Sequence, residues 1–128
     1  MQNLEQIRAR NAIQATGDEK APQGKNGGDV AKKVPAMIME SGLLGALAFA
    51  IDAKAGHEKV LQGAIRHYQK VDRQAPATDD LVFFAGWLGQ QDSARLRAAT
   101  SEILAYLNYY RRFVRPAKKE GNQNADSD

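Results

Sequence analysis

The sequence predicts an all-α protein: a single-domain, irregular bundle of about five to six helices. Apolar residues recur three or four positions apart in most segments between glycines and prolines. No alternation of apolar and polar residues persists over five positions, so no segment is predicted as a β-strand. With 128 residues, 43% of them hydrophobic, the chain can bury one core and is too short for two ordinary domains. The helical domain is predicted to span residues 1–116, and the polar residues 117–128 are predicted to be a disordered tail.

The first helix is predicted over "NLEQIRARNAIQAT", with Leu4 and Ile7 on one face and Gly17 as its C-cap. Residues 17–28 combine glycines, a proline and alternating charges, which predicts a mobile, glycine-rich loop. Asp29 offers an N-cap for the next helix. Pro35 lies within the apolar pattern of that helix, so the helix either bends there or begins there.

Gly42 separates that helix from "LLGALAFAI", a short, nearly all-apolar helix predicted to form the centre of the core. Gly56 is predicted to end it, and "HEKVLQGAIRHYQKV" shows apolar residues on one side of a further helix that closes near Pro76. Asp80 and its neighbours are capping residues ahead of "LVFFAGWLG". Asp92 or Ser93 is predicted to cap the last long helix, which runs to Pro116.

Composition excludes several classes of protein. Without cysteine there are no disulfides, thiolate metal sites or cysteine nucleophiles, which fits a cytoplasmic protein. No run approaches the roughly 18 consecutive apolar residues of a membrane span, so no membrane partner is predicted. The formal net charge is +3, and the excess of positive charge lies in residues 54–119, where twelve Lys and Arg face six Asp and Glu. This bias favours acidic partners.

The last helix carries two distinct faces in projection. Apolar side chains gather within about 60° of one another and are predicted to pack inward: they are Leu96, Ile103, Leu107, Tyr110 and Val114, flanked by Tyr106 and Phe113. A basic stripe formed by Arg97, Arg111 and Arg115, with Arg112 just beyond it, lies on a different side. Cations at a helix C-terminus also offset the helix dipole, by about 0.3 to 1 kcal/mol each, so composition alone leaves a purely structural role open.

Two stretches resemble a known family. "KKVPAMIMESGLLGALAFA" (residues 32–50) has a basic pair, a proline, an apolar pair, a glycine turn and an Ala-Leu-Ala-Phe helix. "DSARLRAATSEILAYLNYYRRF" (residues 92–113) opens on Asp-Ser and closes on aromatic residues and an arginine pair. Together they resemble the small, all-helical subunit of the Cmr complex, the type III-B CRISPR effector of antiviral defence. The stretch "IRARNAI" near the start of the chain is compatible with this resemblance.

The resemblance implies a non-catalytic, RNA-binding small subunit. Its implied partners are the backbone and large subunits of the complex, copies of itself in a stack along the guide-RNA filament, and the guide and target RNAs. Basic residues would contact phosphates without reading sequence. The candidate RNA-binding residues are Lys32, Lys33, Arg97, Arg111, Arg112 and Arg115, followed by Arg8 and Arg10 on the first helix.

The residues themselves show no catalytic pattern, and no catalytic residue, cofactor or metal site is predicted. His57 and His67 would lie about 15 Å apart on one helix, too far for a shared metal. His67 is predicted to be a surface or interface residue. Asp79 and Asp80 are explained by helix capping, and the glycine-rich segment lacks a phosphate-binding Gly-Lys-Ser/Thr motif.

The aromatic residues outside the inward face of the last helix are predicted to have two roles. Phe83, Phe84 and Trp87 are predicted to be core residues, while Tyr109 lies between the apolar and basic sides and could stack on a base.

The alternative function is a purely structural helical spacer. In that case the terminal arginines would pair with acids of a neighbouring copy, such as Glu40 or Asp72.

Overall fold

The computed structural model describes residues 2–17, 24–53 and 55–114. Within these ranges the chain is all-α, as predicted, and contains no strand. Five helices follow one another along the chain. They are α1 (Leu4–Thr16), α2 (Gly24–Ala53), α3 (Ala55–Val71), α4 (Leu81–Gly89) and α5 (Ser93–Phe113). The predicted tail, residues 117–128, lies outside the described residues.

Three helices begin at side chains that cap them. Asn3 forms a capping box with Gln6 at the start of α1. Asp80 accepts hydrogen bonds from the backbone of the first turn of α4, and Asp92 accepts one from the Arg95 backbone in α5. The predicted capping roles of Asp80 and Asp92 are therefore confirmed, as is the predicted end of α1 at Gly17.

The second helix differs from its prediction at its start, and it breaks at Gly42 as predicted. It begins at Gly24, before the predicted start at Asp29, so the later part of the predicted loop 17–28 is helical, while residues 18–23 lie outside the described residues. The helix continues through Pro35 and breaks at Gly42, whose φ of 81° and ψ of 164° are non-helical. A side chain with a Cβ rarely adopts this φ, which explains why the predicted punctuation falls on glycine.

The segment Val30–Ala53 of α2 is long and apolar enough to cross a membrane by length and composition alone. Core helices of soluble proteins have the same properties, and α2 packs against α3, α4 and α5. The predicted central helix contributes Leu43, Ala46, Leu47 and Ala50 to the core, whereas Phe49 stays 48% exposed. This part of α2 is therefore buried on one face.

The two central helices of the bundle are α3 and α5. Each contacts every other helix, whereas α1 and α2 do not touch each other within the described residues. α3 runs antiparallel to α5, because His67 of α3 contacts Glu102 of α5 while the later Asp72 contacts the earlier Arg95. The predicted boundary at Gly56 is wrong: this glycine lies inside α3.

Candidate nucleic-acid interface

The basic stripe on α5 lies at the surface, on a different side from the buried residues of that helix. Ala99, Ile103, Tyr106, Leu107 and Tyr110 are buried, which confirms most of the predicted inward face, although Phe113 is 38% exposed. Arg97, Arg111 and Arg112 are exposed. Arg115 lies outside the described residues.

The exposed arginines of α5 make no ion pair or hydrogen bond with any side chain in the described part of the chain. Arg111 and Arg112 lie in the last turn of the helix, where they also face the negative end of its dipole. A guanidinium group without a protein partner keeps all five of its N–H donors available for a ligand or water. Arg97, Arg111 and Arg112, called below the α5 face, therefore leave their guanidinium groups open to solvent.

The lysine pair on α2 is exposed between two buried residues. Lys32 and Lys33 face solvent, while Ala31 and Val34 are fully buried. Because α2 begins at Gly24, the lysines lie more than two turns inside the helix. The free backbone N–H groups of the helix start therefore do not lie beside this pair, and only the side-chain ammonium groups remain as anion ligands.

The two arginines of α1 are held by other residues of the chain. Arg8 forms a bidentate pair with Glu102, with its Nε and Nη2 atoms each 2.7 Å from a carboxylate oxygen. Arg10 donates to Gln2 at the surface. Since the fork of Arg8 is already occupied by a carboxylate, Arg8 is a structural residue, and the prediction that it contacts RNA is not supported by its geometry.

His67 is the centre of a polar cluster between α1, α3 and α5, and the prediction that it lies at the surface is wrong. The residue is 1% exposed. Its Nδ1 lies 2.9 Å from Asn11 Nδ2, and its Nε2 lies 2.8 Å from Glu102. The amide nitrogen of Asn11 can only donate, so Nδ1 accepts and the Nε2 hydrogen points to the carboxylate. This arrangement fits a neutral imidazole.

Burial and hydrogen bonding shift the pKa values of His67 and Glu102. Burial lowers the pKa of His67, and the hydrogen bond to Glu102 opposes this shift only in part. Burial also raises the pKa of Glu102, but the hydrogen bonds from Arg8 and His67 outweigh it, so the carboxyl pKa lies below its usual value. The cluster therefore contains an ionised Glu102 and a neutral His67 at neutral pH.

A second polar cluster contains Asp72, one of the acids predicted to pair with the terminal arginines of a neighbouring copy. Asp72 accepts hydrogen bonds from Tyr68 at 2.6 Å and from Arg95 at 2.5 Å. The Arg95 guanidinium also lies 5.7 Å from the ring centroid of Trp87. Asp72 is therefore committed within its own chain, and its predicted role toward a neighbour is not supported, whereas Glu40 is exposed.

The aromatic residues divide between the core and the surface. Phe84 is fully buried and Trp87 is partly buried, as predicted, but Phe83 is 59% exposed, so the prediction that it belongs to the core is wrong. Tyr109 is half-buried, and its hydroxyl donates to Glu5 at 3.2 Å. The ring of Tyr109 thus lies beside the contact between α1 and α5, and its hydroxyl is already hydrogen-bonded to Glu5.

The described residues contain no group of three or more His, Asp or Glu that could hold a metal ion. Asp79 pairs with Arg66 at 3.3 Å, and Asp80 caps α4. Sequence reasoning missed the partnership of Asn11, His67 and Glu102. A signal was available, because Glu102 projects beside the apolar side of the last helix, where an acid requires a partner.

A family model described as "CRISPR-associated protein (Cas_Cmr5)" matches residues 4–116. No curated protein and no solved structure matches the chain.

Proposed function

Because the chain belongs to the Cas_Cmr5 family of CRISPR-associated proteins, it is a subunit of a Cmr complex in CRISPR defence, and we propose that it contacts target RNA there through basic residues. In this proposal the subunit is non-catalytic and intracellular. It stacks with copies of itself along the guide-RNA filament, next to the backbone and large subunits.

One observation carries the proposal: the α5 face presents three guanidinium groups that no acid of the described chain neutralises. Arginine binds phosphate through two parallel N–H donors and is more weakly hydrated than lysine. Lys32 and Lys33 supply two further exposed cations on α2. Arg10 is a secondary contact because its partner, Gln2, is neutral and exposed.

The proposed mechanism is electrostatic. Each Lys or Arg that neutralises a phosphate releases a condensed counterion, so affinity falls as salt rises. Such contacts hold and position a strand without reading its bases, and pairing with the guide supplies the sequence specificity. Affinity of the free subunit for RNA is accordingly weak and steeply dependent on salt.

The experiment replaces Arg111 and Arg112 by Glu in the assembled complex. We expect the complex to keep its subunits while target RNA dissociates at lower salt than from the wild-type complex. Arg73→Glu is the control for a single charge reversal and is compared with Arg111→Glu alone, because Arg73 is also exposed and lies outside the α5 face. Retention of RNA at unchanged salt by the double variant would contradict the proposed contact.

A second candidate function is a structural spacer, and the exposed apolar side chains favour it. Met39 of α2 is 76% exposed, and Val82 and Phe83 of α4 are 60% and 59% exposed. Contiguous apolar surface is typical of interfaces between subunits, and these residues lie on two helices that contact each other. If the spacer function is correct, charge reversal on the α5 face breaks the complex instead of releasing RNA from an intact one.

A further inference from the structure

The exposed side of α3 carries a second row of cations. At about 100° per residue, Lys59, Arg66 and Lys70 fall within about 40° of one another on this helix. Lys59 and Lys70 are exposed, and Arg66 is partly exposed. Neither lysine has an ion-pair partner among the described residues. These three residues are called the α3 face below.

The α3 face and the α5 face point away from different sides of the bundle. The two helices contact each other through their inner sides, where the rings of His67 and Tyr106 stack with centroids 4.7 Å apart. On α5 the cations project about 120° to 180° away from Tyr106, whereas on α3 they project about 60° to 100° away from His67. The two faces therefore point in different directions, and a strand bound on one does not cover the other.

Arg66 and Lys70 line two recesses, one on each side of the row. A cavity of about 190 Å³ lies between α1 and α3, with Asn11 and Gln14 in its wall. A second cavity of about 380 Å³ lies between α3 and the residues around Thr78. Both recesses are bordered by Arg66 and Lys70; the first is lined mainly by polar groups, and the second is mainly apolar with Asp79 at its wall.

The ion pair between Arg66 and Asp79 does not prevent a phosphate from binding to the α3 face. Arg66 and Asp79 are 3.3 Å apart with side-chain exposures of 43% and 63%. Exposed pairs of this kind contribute only about 0–1 kcal/mol, so a phosphate can replace the carboxylate at small cost.

We propose that Lys59, Arg66 and Lys70 form a second binding face for single-stranded RNA, so that one subunit holds two RNA segments on different sides of the bundle. The inference rests on the proposed RNA contact at the α5 face and extends it. Cations spaced along a helix neutralise successive phosphates, and the flanking recesses receive unstacked bases. An acidic protein surface would need the charges but not the recesses, which favours RNA as the occupant.

The test compares two full-length variants that each lose three positive charges. The α3 variant carries Lys59→Gln, Arg66→Gln and Lys70→Gln, and the α5 variant carries Arg97→Gln, Arg111→Gln and Arg112→Gln. Both are titrated at low salt with a short, fluorescein-labelled oligouridylate, and stoichiometry is measured by sedimentation. We expect two oligonucleotides per wild-type chain and one per chain of either variant, with unchanged circular dichroism.

The salt dependence gives a second readout. Loss of three phosphate contacts with a single strand lowers the slope of log affinity against log salt by about 2 for the α3 variant. An α3 variant that still binds two oligonucleotides, or a wild-type chain that binds only one at the α5 face, overturns the inference and leaves the proposed function intact. If the α5 variant alone binds like wild type, the proposed α5 contact fails while the α3 face stands.

The same variants separate RNA from protein as the occupant. An α3 variant that binds RNA like wild type but no longer purifies with the other Cmr subunits identifies the α3 face as a protein interface, which also overturns the inference. Retention in the complex together with lost RNA stoichiometry supports it.

Discussion

Replacing Glu102 by Gln is predicted to destabilise the protein strongly, because this carboxylate joins three helices. It accepts two hydrogen bonds of 2.7 Å from Arg8 on α1 and one of 2.8 Å from His67 on α3. The Glu102 side chain is only 12% exposed, and those of Arg8 and His67 are 24% and 0% exposed. With glutamine, the charge is lost and an NH₂ group faces the guanidinium donors.

The size of the effect follows from these exposures. Removing one partner of a fully buried ion pair costs about 3–5 kcal/mol, because the remaining charge is left uncompensated. Arg8 is partly exposed and can recover some hydration, so we expect a loss of about 2–3 kcal/mol in the free energy of unfolding. This corresponds to a fall in Tm of roughly 8 to 15 °C for a domain of this size.

Urea unfolding followed by circular dichroism measures the loss, with Glu40→Gln as a matched control on an exposed acid. Adding Arg8→Met to Glu102→Gln should restore at least half of the stability, because no guanidinium is then left unpaired while the amide oxygen still accepts from His67. The reasoning is refuted if Glu102→Gln unfolds within about 0.5 kcal/mol of wild type, or if the Arg8→Met change only adds its own cost.

Two further predictions concern the interior around α3. Gly63→Ala should lower stability despite the better helix propensity of alanine, since its Cβ would lie 2.9 Å from the Tyr106 hydroxyl. Tyr106→Phe alone should be nearly neutral, because that hydroxyl has no hydrogen-bond partner among the described residues. Combined with Gly63→Ala, it should restore the melting temperature of the alanine variant. Stability should fall as pH drops below about 6.5, because the lowered pKa of His67 lets the unfolded chain take up a proton that the folded chain does not bind until lower pH. Urea midpoints measured from roughly pH 8 to pH 5 should show this slope in wild type and in His57→Gln but not in His67→Gln, and an equal slope in all three would contradict the assignment.

The sequence by itself determined the local features of the protein. Capping by Asp80 and Asp92, the break at Gly42 and the inward face of α5 depend on residues within a few positions of one another, and each was predicted. Helical periodicity and capping are properties of short segments, so they need no knowledge of what lies across the bundle. The exposure of Arg111 and Arg112 follows from the same projection.

Only the tertiary structure decided which charged residues remain available to a ligand. Arg8 and Arg111 are both arginines on predicted helices. In the structure Arg8 pairs with Glu102, 94 positions away, whereas Arg111 has no partner among the described residues. His67 became a core residue because Asn11 and Glu102 come from two other helices to satisfy both ring nitrogens. Such pairings depend on how helices dock, and helix docking is set by the packing of the whole core, which no single segment encodes.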